Sequence, residues 1–141
     1  YVFPAELEPV VANGGIRLIQ GQRGQVVPTP LEGGVRIRRS WTGQTSSHGL
    51  LYTVRNVMFE PFEQENVDWV AGAIRQISEA FRLRTPAILS THRVNYVGGM
   101  SVPHRDSSLR LLDRLLDKIQ TRWPDVEFIT SDELLTVMEG S

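Results

Sequence analysis

The chemistry-bearing side chains of this sequence crowd into one stretch, PAILSTHRVNY, running from Pro86 to Tyr96. A short apolar run, Ala87, Ile88 and Leu89, ends abruptly in Thr91, His92, Arg93, Asn95 and Tyr96. Histidine exchanges protons near neutrality, so His92, directly after a buried strand, is a candidate general acid or base. The competing reading is a structural histidine bonded to a loop carbonyl; proton transfer asks for a partner that orients the ring. Arg93, Asn95 and Tyr96 add a guanidinium, an amide and a phenol, a mixture suited to hydroxyl-rich or anionic ligands. The same groups also serve to satisfy loop backbone. Glu60, after VRNVMF, ends another predicted strand and offers a carboxylate to the same face.

Other chemistries find little support. His48 and His104 are the only further histidines and neither has a ligand-like spacing to His92, so no metal site is expected from this chain alone. There is no cysteine, which removes thiolate nucleophiles and sulfur-ligated zinc. No Gly-x-Ser-x-Gly elbow occurs, and the glycines of GQRG and VGGM lack the spacing of a phosphate cradle.

Fifteen basic and sixteen acidic residues leave a net charge of -1, which supplies no long-range field for nucleic acid or acidic lipid. Nucleic acid is therefore not an expected partner. The 141 residues, 40% hydrophobic and 22% charged, match one ordinary globular domain with a sizeable core. No apolar run approaches the roughly 18 residues of a membrane span. The chain opens YVFPAELEPV without an initiator methionine, which suggests processing or a cut from something longer.

These residues need elements to hold them. YVF closed by Pro4 reads as a strand end, LEPVVANGG as a short helix stopped by Gly14 and Gly15, and IRLIQG as a strand. Residues 22–48, rich in Gly, Pro, Ser, Thr and Gln, read as a long excursion with one hairpin around GVRIRR. LLYTVRNVMF reads as one buried strand ending near Glu60. Asn66 is the expected cap of a helix whose apolar face is Val67, Val70, Ala71, Ile74, Ile77 and Phe81. Pro86 resets the backbone before the strand at 87–90. Asp106 is the expected cap of a second helix with Leu109, Leu112, Leu115, Leu116, Ile119 and Trp123 inward; VEFIT is then a buried strand and SDELLTVM a capped terminal turn or helix. Alternating strands and helices at this spacing predict an α/β fold with parallel strands, whose ligands sit beyond the carboxyl ends of the strands.

The segments VFPAELEPVVANGGIRLIQG, LLYTVRNVMFEP, PAILSTHRVNYVGG and RDSSLRLLDRLLDKIQTRWPDVEFITSDEL together resemble the later part of bacterial polysaccharide deacetylase-like proteins. The resemblance covers nearly the whole chain and is strongest over 66–134. It implies the later β/α units of an irregular (β/α) barrel and removal of acetyl groups from sugars, with a divalent metal polarising the carbonyl and activating water. His92 matches the histidine that protonates the leaving amine or alcohol, and Pro4 a proline of an earlier strand-end motif. There Val2 and Phe3 stand where an arginine is usual, and Ala5 where an aromatic is usual.

The family's metal-binding Asp and His and its base Asp lie in the first half of the barrel, and nothing here corresponds to them. The divalent metal is thus expected only in an intact protein, through residues absent here. The expectation is a carbohydrate-active hydrolase with His92 catalytic and Arg93, Asn95, Tyr96 and Glu60 lining the sugar face. The alternative is a non-catalytic module binding saccharide or a partner. The resemblance also implies export. The chain as a whole is expected to be a single domain, or a half-barrel whose open edge pairs with its missing half or another copy.

Overall fold

The computed structural model describes residues 3–29, 33–62, 66–99 and 101–140. Tyr1 and Val2 of the expected first strand lie outside the described residues. Among the described residues helices and strands are mixed, and two of the three strand pairs are parallel, in keeping with an α/β chain. Among the described residues no helix is long and apolar enough to cross a membrane. The chain divides into two compact units, residues 1–55 with 129–141, and residues 56–128.

In the first unit, a 3-10 turn at Ala5–Leu7 leads into α1 (Glu8–Asn13), which has Pro9 in its first turn and ends before Gly15 at φ 82°. β1 (Leu18–Gly21) pairs in parallel with β4 (Leu51–Val54), Leu18 opposite Leu51. Between them, the 22–48 excursion folds as an antiparallel hairpin of β2 (Gly24–Thr29) and β3 (Gly34–Arg39), Val26 opposite Ile37. α4 (Ser131–Glu139) closes the unit with a capping box, in which Thr130 N–H donates to the Glu133 carboxylate at 2.7 Å. Such a box satisfies two otherwise orphaned donors of the first turn.

Glu8 is buried against Tyr52, whose hydroxyl donates to Oε1 at 2.7 Å, and against the Arg38 guanidinium. Burial alone raises the Glu8 pKa, but the bonds from Tyr52 and Arg38 outweigh it and hold the group below its ordinary 4.5. A depressed carboxyl stabilises the fold above its unfolded pKa and loses that contribution as pH falls through the folded value. Tyr52→Phe should therefore cost about 1.5–3 kcal/mol at pH 7, the usual worth of a hydrogen bond to a charged group. The gap to wild type should narrow as pH drops below 4.5. Urea midpoints at pH 7 and pH 3 measure both effects; an equal gap at the two pH values would contradict the assignment.

The second unit holds β5 (Val57–Met58), α2 (Trp69–Arg82), β6 (Leu89–Ser90) and α3 (Val102–Arg122). β5 and β6 are parallel, Val57 opposite Leu89 and Met58 opposite Ser90. α2 packs on β5 and on α3, around Val57, Phe59, Val70, Ala73, Ile77, Leu115 and Ile119. Phe81 and Trp123 meet edge to face at the rim, with centroids 5.0 Å apart.

Several sequence expectations are corrected here. LLYTVRNVMF is two strands, because Asn56 interrupts the ladder: its amide donates to Pro86 O at 3.0 Å and accepts from Ile88 N–H at 2.7 Å. The cap of α2 is Asp68, accepting from Ala71 N–H at 2.9 Å, and Asn66 lies outside the helix. The cap of α3 is Ser101, with Pro103 in the first turn, so Asp106 lies inside the helix beside Arg105. Leu109 and Leu116 are exposed, while Ser108 takes a core position. VEFIT forms no strand: it finds no ladder partner among the described residues, and Phe128 and Ile129 are exposed.

Candidate functional site

β5 and β6 run parallel and deliver their next residues to the same end. Carrying the register forward by two residues sets Phe59 opposite Thr91 and Glu60 opposite His92. The ladder continues one bond further, Phe59 N–H to Ser90 O at 2.9 Å, and then side chains take over. His92 is followed by a 3-10 turn at Arg93–Asn95, which folds Asn95 back under it, with Asn95 N–H donating to His92 O at 3.0 Å.

Glu60 is only 2% exposed, yet its carboxylate faces an imidazole that is 67% exposed. Oε1 lies 2.8 Å from His92 Nδ1, within ion-pair distance, although it makes no hydrogen bond of ordinary geometry among the described residues. Oε2 accepts from Asn95 Nδ2 at 2.8 Å and from the His92 backbone N–H at 3.2 Å. The strand end thus holds a carboxylate against one ring nitrogen and leaves Nε2 as the atom open to exchange a proton with a ligand. A buried carboxylate beside Nδ1 orients the ring.

Asn95 is fully buried and its bonding capacity is spent internally. Nδ2 also reaches His92 O at 2.8 Å and Thr91 Oγ1 at 3.3 Å, while Oδ1 accepts from Phe62 N–H at 2.8 Å. Asn95 and Glu60, expected to line a sugar face, are both buried. Both are buried braces, because the turn directs them inward to satisfy each other. Tyr96 stands half-buried beside them, its hydroxyl 2.8 Å from Thr91 Oγ1. Burial raises the Tyr96 pKa; the Thr91 bond lowers it less, and the Glu60 charge adds to the rise, so the phenol stays protonated. Arg93 is exposed, and its guanidinium has no hydrogen-bond or ion-pair partner among the described residues. Of the five residues singled out by sequence, Glu60, His92, Asn95 and Tyr96 form one cluster, and Arg93 projects from its edge.

Sequence reasoning missed the brace role of Asn95 and the part of Thr91, which links the Asn95 amide to the Tyr96 phenol. Their proximity in sequence to His92 was visible, but only the turn at 93–95 shows which way each side chain goes. No group of three or more His, Asp or Glu side chains that could hold a metal ion occurs among the described residues. Comparison with known proteins finds no matching family model, no matching curated protein and no matching solved structure.

Proposed function

We propose that this chain belongs to a carbohydrate-active hydrolase of the polysaccharide deacetylase type, with His92 donating a proton to the leaving amine or alcohol. The observation that carries the reading is the Glu60–His92 pair, an exposed imidazole backed by a buried carboxylate at the carboxyl end of parallel strands. General acid–base catalysis needs that combination of access and orientation. Tyr96, held protonated, and Arg93, projecting from the cluster, are the donors placed to meet a hydroxyl-rich or acetylated substrate.

The parallel pairs are read as later units of a (β/α) barrel, which further strands or a second copy of the chain would complete. For the divalent metal of such enzymes, the described residues do not fit. Glu60 and His92 are two donors only, and Glu60 is already committed to Asn95.

The test is acetate release from N- and O-acetylated oligosaccharides by the full-length protein that carries this chain, with divalent cations supplied. Release that depends on His92 supports the reading. Saccharide binding without any release would replace it with a non-catalytic binding module.

A further inference from the structure

α2 turns Val70, Ala73 and Ile77 to the core, and on its flank it shares an open groove of about 450 Å³ with α3. The floor is apolar, Ala71 and Ile74, and the walls are charged: Arg75 and Arg82 from α2, Lys118 and Arg122 from α3. All four cations are exposed. The acid among the described lining residues is Glu79, one turn from both Arg75 and Arg82, where it offsets one of their two charges. The described lining shares no residue with the Glu60–His92 cluster.

A solvated helix face is the ordinary reading of such charges, and the helix dipole accounts for the cations of a last turn, here Arg82 and Arg122. It does not account for Arg75 or for the pattern on α3. Arg110, Arg114, Lys118 and Arg122 recur at every fourth residue, a spacing at which like charges repel. Asp113 and Asp117 follow Arg110 and Arg114 by three residues and offset them; Lys118 and Arg122 have no acid three or four residues away within α3. The uncompensated end of that ridge is the end that faces Arg75 and Arg82 across the groove.

Arg75 and Arg82 lie two turns apart, roughly 10 Å along the axis, and Lys118 and Arg122 one turn, roughly 6 Å. Cations strung out at these intervals do not converge on one point, as a single phosphate group would need. They match carboxylates one and two turns apart on a third helix, and a guanidinium takes a carboxylate in a paired hydrogen bond. We propose that the α2–α3 groove docks an acidic helical segment of a partner protein, its carboxylates on the four cations and its small apolar side chains on Ala71 and Ile74. Docking here is independent of the hydrolase reading.

The test is fluorescence anisotropy of labelled, alanine-rich helical peptides of roughly 18 residues with the full-length protein that carries this chain. One peptide sets four glutamates on a single helical face; a second has the same composition with the glutamates spread round the helix. The one-face peptide should bind about fivefold or more tighter than the other, and about tenfold more weakly at about 0.5 M salt than at low salt. Arg75→Glu combined with Lys118→Glu should weaken it about tenfold or more, and Glu79→Gln should tighten it about two- to threefold. Arg110→Glu makes a charge reversal roughly 12 Å along α3 from Lys118 and should change binding less than about threefold. The substituted side chains are exposed, and circular dichroism confirms that each variant folds. No binding of the one-face peptide, equal binding of the two peptides, unchanged binding in either groove variant, or an Arg110→Glu loss as large as that of the double variant overturns the proposal. Displacement of the peptide by tripolyphosphate or oligothymidylate at lower concentration than by unlabelled peptide also overturns it, in favour of a phosphate-bearing ligand.

Discussion

His92→Gln in the full-length protein should lower kcat for acetate release by about 10²–10⁴-fold, the usual worth of a general acid, with KM nearly unchanged. The fold should not suffer, because the imidazole is 67% exposed and contributes little packing. Glu60→Gln should give a smaller loss of kcat. It removes the charge beside Nδ1 but keeps a side chain of the same shape between the His92 backbone and Asn95. Steady-state kinetics and saccharide titration on the same preparations separate the outcomes. Equal loss of binding and turnover in folded His92→Gln would contradict proton donation and favour a binding module.

Asn95→Asp should be the most damaging isosteric change in the second unit. It replaces the amide that donates to Glu60 Oε2 at 2.8 Å with a second carboxylate, in a position with no access to water. Leaving a buried charge uncompensated costs on the order of 3–5 kcal/mol. Two carboxylates this close cannot both ionise, so the loss should be largest at neutral pH and shrink on acidification, as one of the pair takes up a proton. Denaturant unfolding at pH 7 and pH 4.5 measures this, with the fluorescence of Trp69 and Trp123 reporting on the unit. A variant equally destabilised at both pH values would mean that lost packing, not charge, accounts for the effect.

The two helices of the second unit were legible because their apolar residues recur at helical spacing over many turns, a signal that survives without knowledge of partners. Their starts were less so. Asn66 and Asp106 have the right chemistry for caps, but Asp68 and Ser101 do the capping. The choice among nearby polar residues depends on where the preceding loop leaves the sheet. Strand content was the least legible. LLYTVRNVMF has the composition of one strand, yet Asn56 satisfies the backbone of a segment over 30 residues away and breaks it in two. VEFIT has strand composition and no ladder among the described residues, since a strand exists only through its neighbour.

The sequence by itself determined an α/β chain with no strong charge field and one cluster of chemistry-bearing residues after the strand that ends at Ser90. It also placed Glu60 at the end of a second strand, because composition and periodicity act locally. The tertiary structure decided what those residues do to one another. The parallel register of β5 and β6 sets Glu60 opposite His92, and the turn at 93–95 buries Asn95 as their brace rather than offering it to a ligand. Pairing register and the direction of a turn depend on contacts between segments some thirty residues apart, and no local pattern encodes them.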